Sequence, residues 1–410
     1  MPVSPFRSPG PYITPLVYAD DLLRPWHDAV SGALPPIASF DAHTHTGAND
    51  PDGFRCSADE LLEGLGEIGA RAAVFTMHEP DGYPAANDRV LAEAAASDGV
   101  LVPFCRLNPR IGGVEAAREA ERCLDAGARG IKLHPRAEQF RLEEPETEPL
   151  FAVAHERGVP VLVHAGRGIP ALGADALDLA ARFPGARIIL AHAAVCDLAW
   201  IWRHAADHPN LFFDTAWWNA QDLLTLFSHV PPGQIVWGSD APYGTPLQSQ
   251  TMAFRCAMQV GVGPEALVSI GGAQMERLVT GAEPVSLGPA PGTDGLTRDV
   301  LLWRVCSYLQ TAGARMMIRD EPEEYLALAR LACEVGDDAP QAPVCRSVLA
   351  LLDRFDQYVA DHPPELELTR PGSRFPGLHL VVTASIVSLT PDVPLPADVE
   401  PESVGERSAD

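Results

Sequence analysis

The chain has 410 residues, 46% of them hydrophobic and 21% charged. That length allows one large domain with an appendage or two domains, and the composition excludes a wholly disordered, collagenous or membrane-embedded protein. Its formal net charge of −25 repels phosphate backbones and anionic lipid, so nucleic acid and membranes are poor partners.

The chain opens with a Pro-rich arm over residues 1–36, carrying one short helix around Asp20 to Val30. From Ile37 to Thr280 short β-branched apolar runs alternate with helical patterns, and the runs number eight: IASFDAHTH, ARAAVFTMH, VLVPFCRLNP, RGIKLHP, VPVLVHAG, RIILAHAA, LFFDTAWW and QIVWGSD. Between them lie segments such as SADELLEGLGEI and VEAAREAERCLDAG, whose apolar residues recur at helical spacing. This rhythm of βα units fills close to the roughly 250 residues of a closed (β/α)8 TIM barrel, whereas open doubly wound sheets usually stop at five or six strands. A dinucleotide-binding sheet also needs a G-x-G-x-x-G turn after its first strand, and HTHTGANDPDG supplies none. The class is therefore α/β, a barrel over 37–280.

Residues 281–295 read as a Gly/Pro-rich linker, and 296–363 as a C-terminal helical appendage built from three helical patterns. The last segment, 364–410, contains one strand candidate, HLVVTASIVSL, and an acidic, Pro-rich tail from Pro391 expected to be disordered. Aromatic residues in the appendage, among them Trp303, Tyr325, Phe355 and Tyr358, predict that it packs on the barrel or on a second subunit. The eight cysteines form no C-x-x-C pair, and no stretch reaches the roughly 18 apolar residues of a spanning helix. A reducing cytoplasm, a small-molecule substrate and a homo-oligomer are the expected setting.

Reactive residues of such a barrel come from the C-terminal ends of its strands. There the sequence places His43 and His45, His78 and Glu79, Arg106, Lys132 and His134, His164, His192, Trp217 and Trp218, and Asp240. His43 and His45 lie two apart on one strand and face the same side, so their imidazoles can converge on one ion. His164, His192 and Asp240 end three further strands, which closure brings to the same mouth. These nitrogen and carboxylate donors, with no thiolate, suit Zn first and Mn, Fe or Co by availability.

Several of these residues keep a second reading. Lys132 can pair with a carboxylate at the mouth, Asp240 can cap the helix that follows Pro242, and His134 is either a substrate contact or a hydrogen-bonded turn residue before Pro135. Arg106, Arg136 and Arg167 follow strand ends and could fork onto a substrate carboxylate. Arg106 shares strand parity with Val102 and Phe104 and so points inward. Trp217 could wall an aromatic substrate or simply pack.

In combination, DAHTH, GIKLHP, VLVHAG, ILAHAA, WGSDAPYG and the helix ALVSIGGAQMERLV resemble the amidohydrolase superfamily. The likeness is to the branch that includes aminocarboxymuconate-semialdehyde decarboxylase. It covers about Ile37 to Thr280, with Gly-Gly in the last helix where asparagine is commoner. The resemblance implies a metal site of His43, His45, His164 and Asp240. It gives His192 the acid/base role in one-metal members and a ligand role in two-metal members, and puts Lys132 where the latter carry a carboxylated bridging lysine. The expected cofactor is one divalent ion, zinc by donor chemistry, or two if Lys132 is carboxylated. The expected activity is hydrolysis of a C–N or C–O bond in a small carbonyl-bearing metabolite, with Asp240 accepting the proton of an ion-activated water and His192 assisting. The alternatives are non-oxidative decarboxylation of a small carboxylic acid and a non-catalytic barrel that binds through its appendage. The helical appendage has no counterpart in the family pattern.

Overall fold

The computed structural model describes residues 20–51, 53–296, 298–318, 320–361 and 377–397. Eight strands follow one another around a parallel sheet, each paired with the next in sequence: β1 Phe40–Thr46, β2 Arg71–Thr76, β3 Leu101–Arg106, β4 Gly130–Leu133, β5 Pro160–Val163, β6 Arg187–Leu190, β7 Leu211–Asp214 and β8 Ile235–Val236. The barrel closes where Ala42 N donates to Trp237 O, Asp240 N to His43 O and His45 N to Ala241 O, each at 2.8 Å. All eight runs expected from the sequence are strands of this barrel.

Two apolar layers explain the strand patterns. Phe75, Phe104, Leu162, Ile189, Phe212 and Val236 fill the barrel interior, while Val74, Cys105, Val161, Ile188, Leu211 and Ile235 pack outward against the helices. A parallel sheet buried on both faces needs both sets apolar, which is why the strands read as continuous hydrophobic runs. The inward parity carried one step further, past the apolar layer, sets Arg106, His164 and Asp214 at the mouth. In β1 the parity changes: Phe40 and Ala42 belong to the interior, yet His43 and His45 carry the site. The register with β2 shifts between Asp41 and Thr44, and an irregularity of this kind re-aims the side chains beyond it.

Close packing accounts for two glycine positions. A Cβ on Gly130 would stand 2.5 Å from the Phe104 ring, which crosses the barrel interior there. A Cβ on Gly272 would stand 2.0 Å from Ala38 O, so the Gly-Gly of the closing helix is where the chain entering β1 lies against it.

The appendage consists of helices Val300–Met317, Glu323–Ala332 and Ala342–Asp361. Its core, with Val305, Leu309, Val348 and Leu351, is shared with Leu23 and Trp26 of the first helix, Asp20–Ser31, and with Leu247 of the helix Pro246–Gln259. Trp26 Nε1 donates to Ser347 Oγ at 2.8 Å. The appendage thus docks on the barrel's own helices. No helix among the described residues is long and apolar enough to cross a membrane, and all eight cysteines are free.

Two C-terminal expectations need correction. HLVVTASIVSL is no strand: Leu378–Leu389 is a helix, buried from His379 to Ser388. A helix buried all round has no amphipathic period, so the β-branched content dominated the sequence signal. The hydroxyls of Thr383, Ser385 and Ser388 are satisfied by carbonyls within the helix. The tail expected to be disordered from Pro391 is ordered as far as 397: Gln259 Nε2 donates to Asp392 Oδ2 and Arg255 Nη1 to Pro394 O, both at 2.8 Å. The remainder of that tail and most of the N-terminal arm lie outside the described residues.

Candidate metal centre

The base of the site is a set of carboxylates that fix backbone and rings. Asp41 Oδ1 accepts from His43 N at 3.0 Å and from Ser239 N at 2.9 Å, tying β1 to the end of β8. Asp214, at the end of β7, accepts from His43 Nδ1 at 2.7 Å with Oδ2, and from His192 N at 2.7 Å and Ala216 N at 3.0 Å with Oδ1. With Nδ1 carrying its proton toward Asp214, His43 presents the Nε2 lone pair to the mouth.

His192 and Asp240 stand on left-handed backbone, at φ 57° and 60°, as do Ala193 and Ala194. Such conformations cost on the order of 1–3 kcal/mol each for residues with a Cβ and gather at functional sites. His192 Nδ1 lies 2.8 Å from Ala216 O, which accepts its proton and leaves Nε2 as acceptor, 3.0 Å from His164 Nδ1. Asp240 Oδ1 lies 3.1 Å from His43 Nε2 and 3.2 Å from His45 Nε2. Among the described residues, ligand atoms of His43, His192 and Asp240 lie mutually within 4.8 Å.

Lone-pair atoms at these separations repel unless a proton or cation lies among them, so the donor set fits a divalent ion. Lys132 Nζ lies beside them, 3.1 Å from His43 Nε2 and 4.6 Å from the centre of the Phe75 ring.

Burial governs the electrostatics. It pushes His43, His45, His134 and His164 well below the usual imidazole range, and neighbouring positive groups, Lys132 among them, add to the effect. His192 is also lowered by burial, against the pull of Asp214. Desolvation carries Lys132 down to about 7 despite the opposing Asp240 charge. It raises Asp41 to about 7 and holds Asp240 well above the ordinary carboxylate range, although Lys132 opposes this. Neutral imidazoles beside carboxylates short of positive charge are the state in which a metal ion is taken up.

The expected residues separate into three groups. His43, His45, His164, His192, Lys132 and Asp240 come together. His134 makes the hydrogen bond of its turn reading, Nδ1 accepting from Ala137 N at 3.2 Å, and its ring stacks on His164 with centroids 4.0 Å apart. Trp217 packs edge-on to His192 with its Nε1 donating to Asp222 Oδ2 at 2.6 Å.

The three arginines differ in their settings. Arg106 points inward and is buried, but Nη2 is taken by Glu138 Oε1 at 2.8 Å and Nη1 donates to Thr76 O at 3.3 Å. Arg136 and Arg167 are exposed on the loops after β4 and β5. Sequence reasoning missed Asp41, Asp214, Glu138 and Tyr243. Asp214 ends the run LFFD, two residues after the inward Phe212, and parity alone could have found it. Tyr243 stands edge-on to His45 and donates to Asp50 Oδ2 at 2.7 Å, a contact between two loops that local sequence does not announce.

A family model described as amidohydrolase matches residues 40–255, from the start of β1 into the helix after β8. The chain belongs to the amidohydrolase family. The matched span holds all the residues gathered at this amidohydrolase mouth, and the appendage lies outside it. Solved structures similar to the chain include 2,6-dihydroxybenzoate decarboxylase from Rhizobium, at 16% identity over 60% of this chain and 99% of that one, with a TM-score of 0.48. They also include 5-carboxyvanillate decarboxylase from Sphingomonas paucimobilis, at 15% identity over 60% and 99%, TM-score 0.48. A third is 4-oxalomesaconate hydratase from Rhodopseudomonas palustris, at 16% identity over 59% and 96%, TM-score 0.46. No curated protein matches the chain.

Proposed function

We propose that the protein is a metal-dependent hydrolase that cleaves a C–N or C–O bond in a small carbonyl-bearing metabolite. The observation that carries this reading is the meeting of Asp240 Oδ1 with the Nε2 atoms of His43 and His45 at 3.1–3.2 Å, on a backbone held in the left-handed conformation for the purpose. His43, His45, His164 and Asp240 would hold one divalent ion, zinc by donor chemistry. Such an ion, when bound, polarises a substrate carbonyl and makes a neighbouring water acidic.

The protein's own groups handle the proton. Asp240, its side chain about one-fifth exposed, accepts it. Ala216 O holds the His192 Nδ1 proton, so Nε2 can take up a proton and then release it to the leaving group. Asp214 holds His43 and His192 in register for both tasks.

The test is metal analysis of the purified protein with a screen of esters, lactones, amides and aromatic carboxylates. Turnover of a lactone, ester or amide, with kcat falling about 10²- to 10⁴-fold in Asp240→Asn and KM little changed, is expected. Release of CO₂ without uptake of water would replace hydrolysis by decarboxylation.

A further inference from the structure

Beside the metal centre lies a second buried polar cluster that the reaction as described does not use. Arg106 on β3 is the register partner of Lys132 on β4, and neighbouring strands run about 4.8 Å apart, so its guanidinium stands one strand away from the Lys132–His43 contact. Its charge is one of the influences that keep His43, His45 and His134 neutral.

Glu138, at the end of the short helix Pro135–Glu138 after β4, binds Arg106 Nη2 at 2.8 Å and also accepts the hydroxyl of Tyr83, whose ring lies 5.2 Å from the guanidinium carbon. His78 Nδ1 is 3.9 Å from the same carboxylate. Arg106 and Glu138 side chains are each 2% exposed. Burial works to raise the Glu138 carboxyl, but the Arg106 charge and the hydrogen bonds it receives outweigh this and keep it below its ordinary value.

Three atoms of this cluster, Arg106 Nε, Glu138 Oε2 and His78 Nδ1, are buried without a hydrogen-bond partner. Each such atom costs roughly 1–3 kcal/mol, and a group of them calls for a partner that the protein itself does not provide. The set offers a fixed donor, a fixed acceptor and a ring nitrogen that can be either. Its net charge is zero, because Glu138 compensates Arg106. An incoming carboxylate would meet Glu138 Oε2 as like charge, whereas a neutral group that both donates and accepts would satisfy the orphaned atoms.

We propose that Arg106, Glu138 and His78 form a specificity subsite for an uncharged carboxamide or hydroxyl on the substrate, with Glu138 selecting against carboxylates. The proposal takes the adjoining metal centre as the reaction site but does not depend on which bond is broken there.

The experiment compares binding of benzamide and benzoate to the metal-loaded protein by calorimetry, in the wild type and in Glu138→Gln. Any coordination of benzoate to the ion is common to both proteins and cancels in the comparison. Removing the carboxylate charge frees Arg106, so the benzoate-to-benzamide affinity ratio is expected to rise about ten- to hundredfold in Glu138→Gln. An unchanged or lower ratio overturns the proposal.

If Glu138→Gln does not fold, the double variant Arg106→Met with Glu138→Leu decides, since apolar replacement of a whole buried ion pair is generally tolerated. It is expected to lose benzamide affinity selectively. Equal effects on both probes, or none, overturn the proposal. A protein that proves to be a decarboxylase in the activity screen leaves these binding ratios readable, so the two readings fail separately.

Discussion

Asp214 holds His43 by its Nδ1 proton at 2.7 Å and with its other oxygen accepts the backbone N–H of His192, also at 2.7 Å. One fully buried carboxylate therefore fixes the tautomer of a β1 ligand and the strained turn at the end of β6.

Asp214→Asn is expected to lower metal affinity about 10- to 100-fold. An asparagine that keeps its oxygen on the His192 and Ala216 amides turns an NH₂, which cannot accept, toward His43 Nδ1, and it lacks the charge that makes His43 more basic. Competition of the loaded protein with a chelator measures the effect. Wild-type affinity in the variant would show that Asp214 is a packing residue.

The roles of His164 and His192 can be exchanged on paper, since His192 Nε2 lies 3.0 Å from His164 Nδ1 and His192 is also within coordination distance of His43 and Asp240. With His164 as ligand and His192 as proton carrier, His164→Ala loses most of its metal, while His192→Ala keeps the metal and loses 10²- to 10⁴-fold in kcat. Metal content and single-turnover rates on both variants check this. The opposite pattern would make His192 the ligand.

These assignments show how far the sequence could be read. The barrel was legible because a parallel sheet covered on both faces writes itself as eight apolar runs, each ending in polar residues. His43, His45, His164, His192 and Asp240 were legible because chemistry in this fold sits at those ends. What escaped was whatever depends on two distant segments meeting. Glu138 closes on Arg106 from a different loop and cancels the charge that made Arg106 look like a carboxylate anchor. The helix Leu378–Leu389 is buried on all sides by the appendage and the barrel, so its residues carry no period by which to recognise it. Asp214 has the inward parity of Phe212 but sits inside the run LFFD, before the strand-end Trp217 and Trp218, so its polar role was masked by the apolar residues around it.

Asp20 provides a test of the first helix. Burial raises its carboxyl from 3.8 to about 7, although Thr245 Oγ1 donates to it at 2.9 Å. A carboxyl raised in the folded state binds its proton more tightly there than in the unfolded chain. Stability from this group is therefore full below pH 3.8 and declines as pH rises to about 7, with a loss on the order of a few kcal/mol by neutral pH. Asp20→Asn keeps an acceptor for Thr245 and removes the titration. The variant is expected to melt at a higher temperature than the wild type at pH 8 and at a similar one near pH 4. A melting difference that does not change with pH would contradict the assignment.

Lys132 decides between one ion and two. To bridge two ions the lysine must be carboxylated, and carboxylation needs a neutral amine; burial brings Lys132 to about 7, so neutrality is within reach at ordinary pH. Geometry points the other way. Lys132 Nζ stands 3.1 Å from His43 Nε2 and over the Phe75 ring, contacts that an ordinary amine makes without being carboxylated. Among the described residues one group of three such side chains, His43, His192 and Asp240, has ligand atoms mutually within 4.8 Å, and His45 Nε2 lies 3.2 Å from the same Asp240, so the donors gather around one centre. The expectation is one equivalent of metal per chain in the wild type and one in Lys132→Ala, measured by elemental analysis after exhaustive removal of loosely bound ions. Two equivalents in the wild type, loss of one in Lys132→Ala and its recovery on adding short carboxylic acids would establish the bridged pair instead, with His164 and His192 as ligands of the second ion.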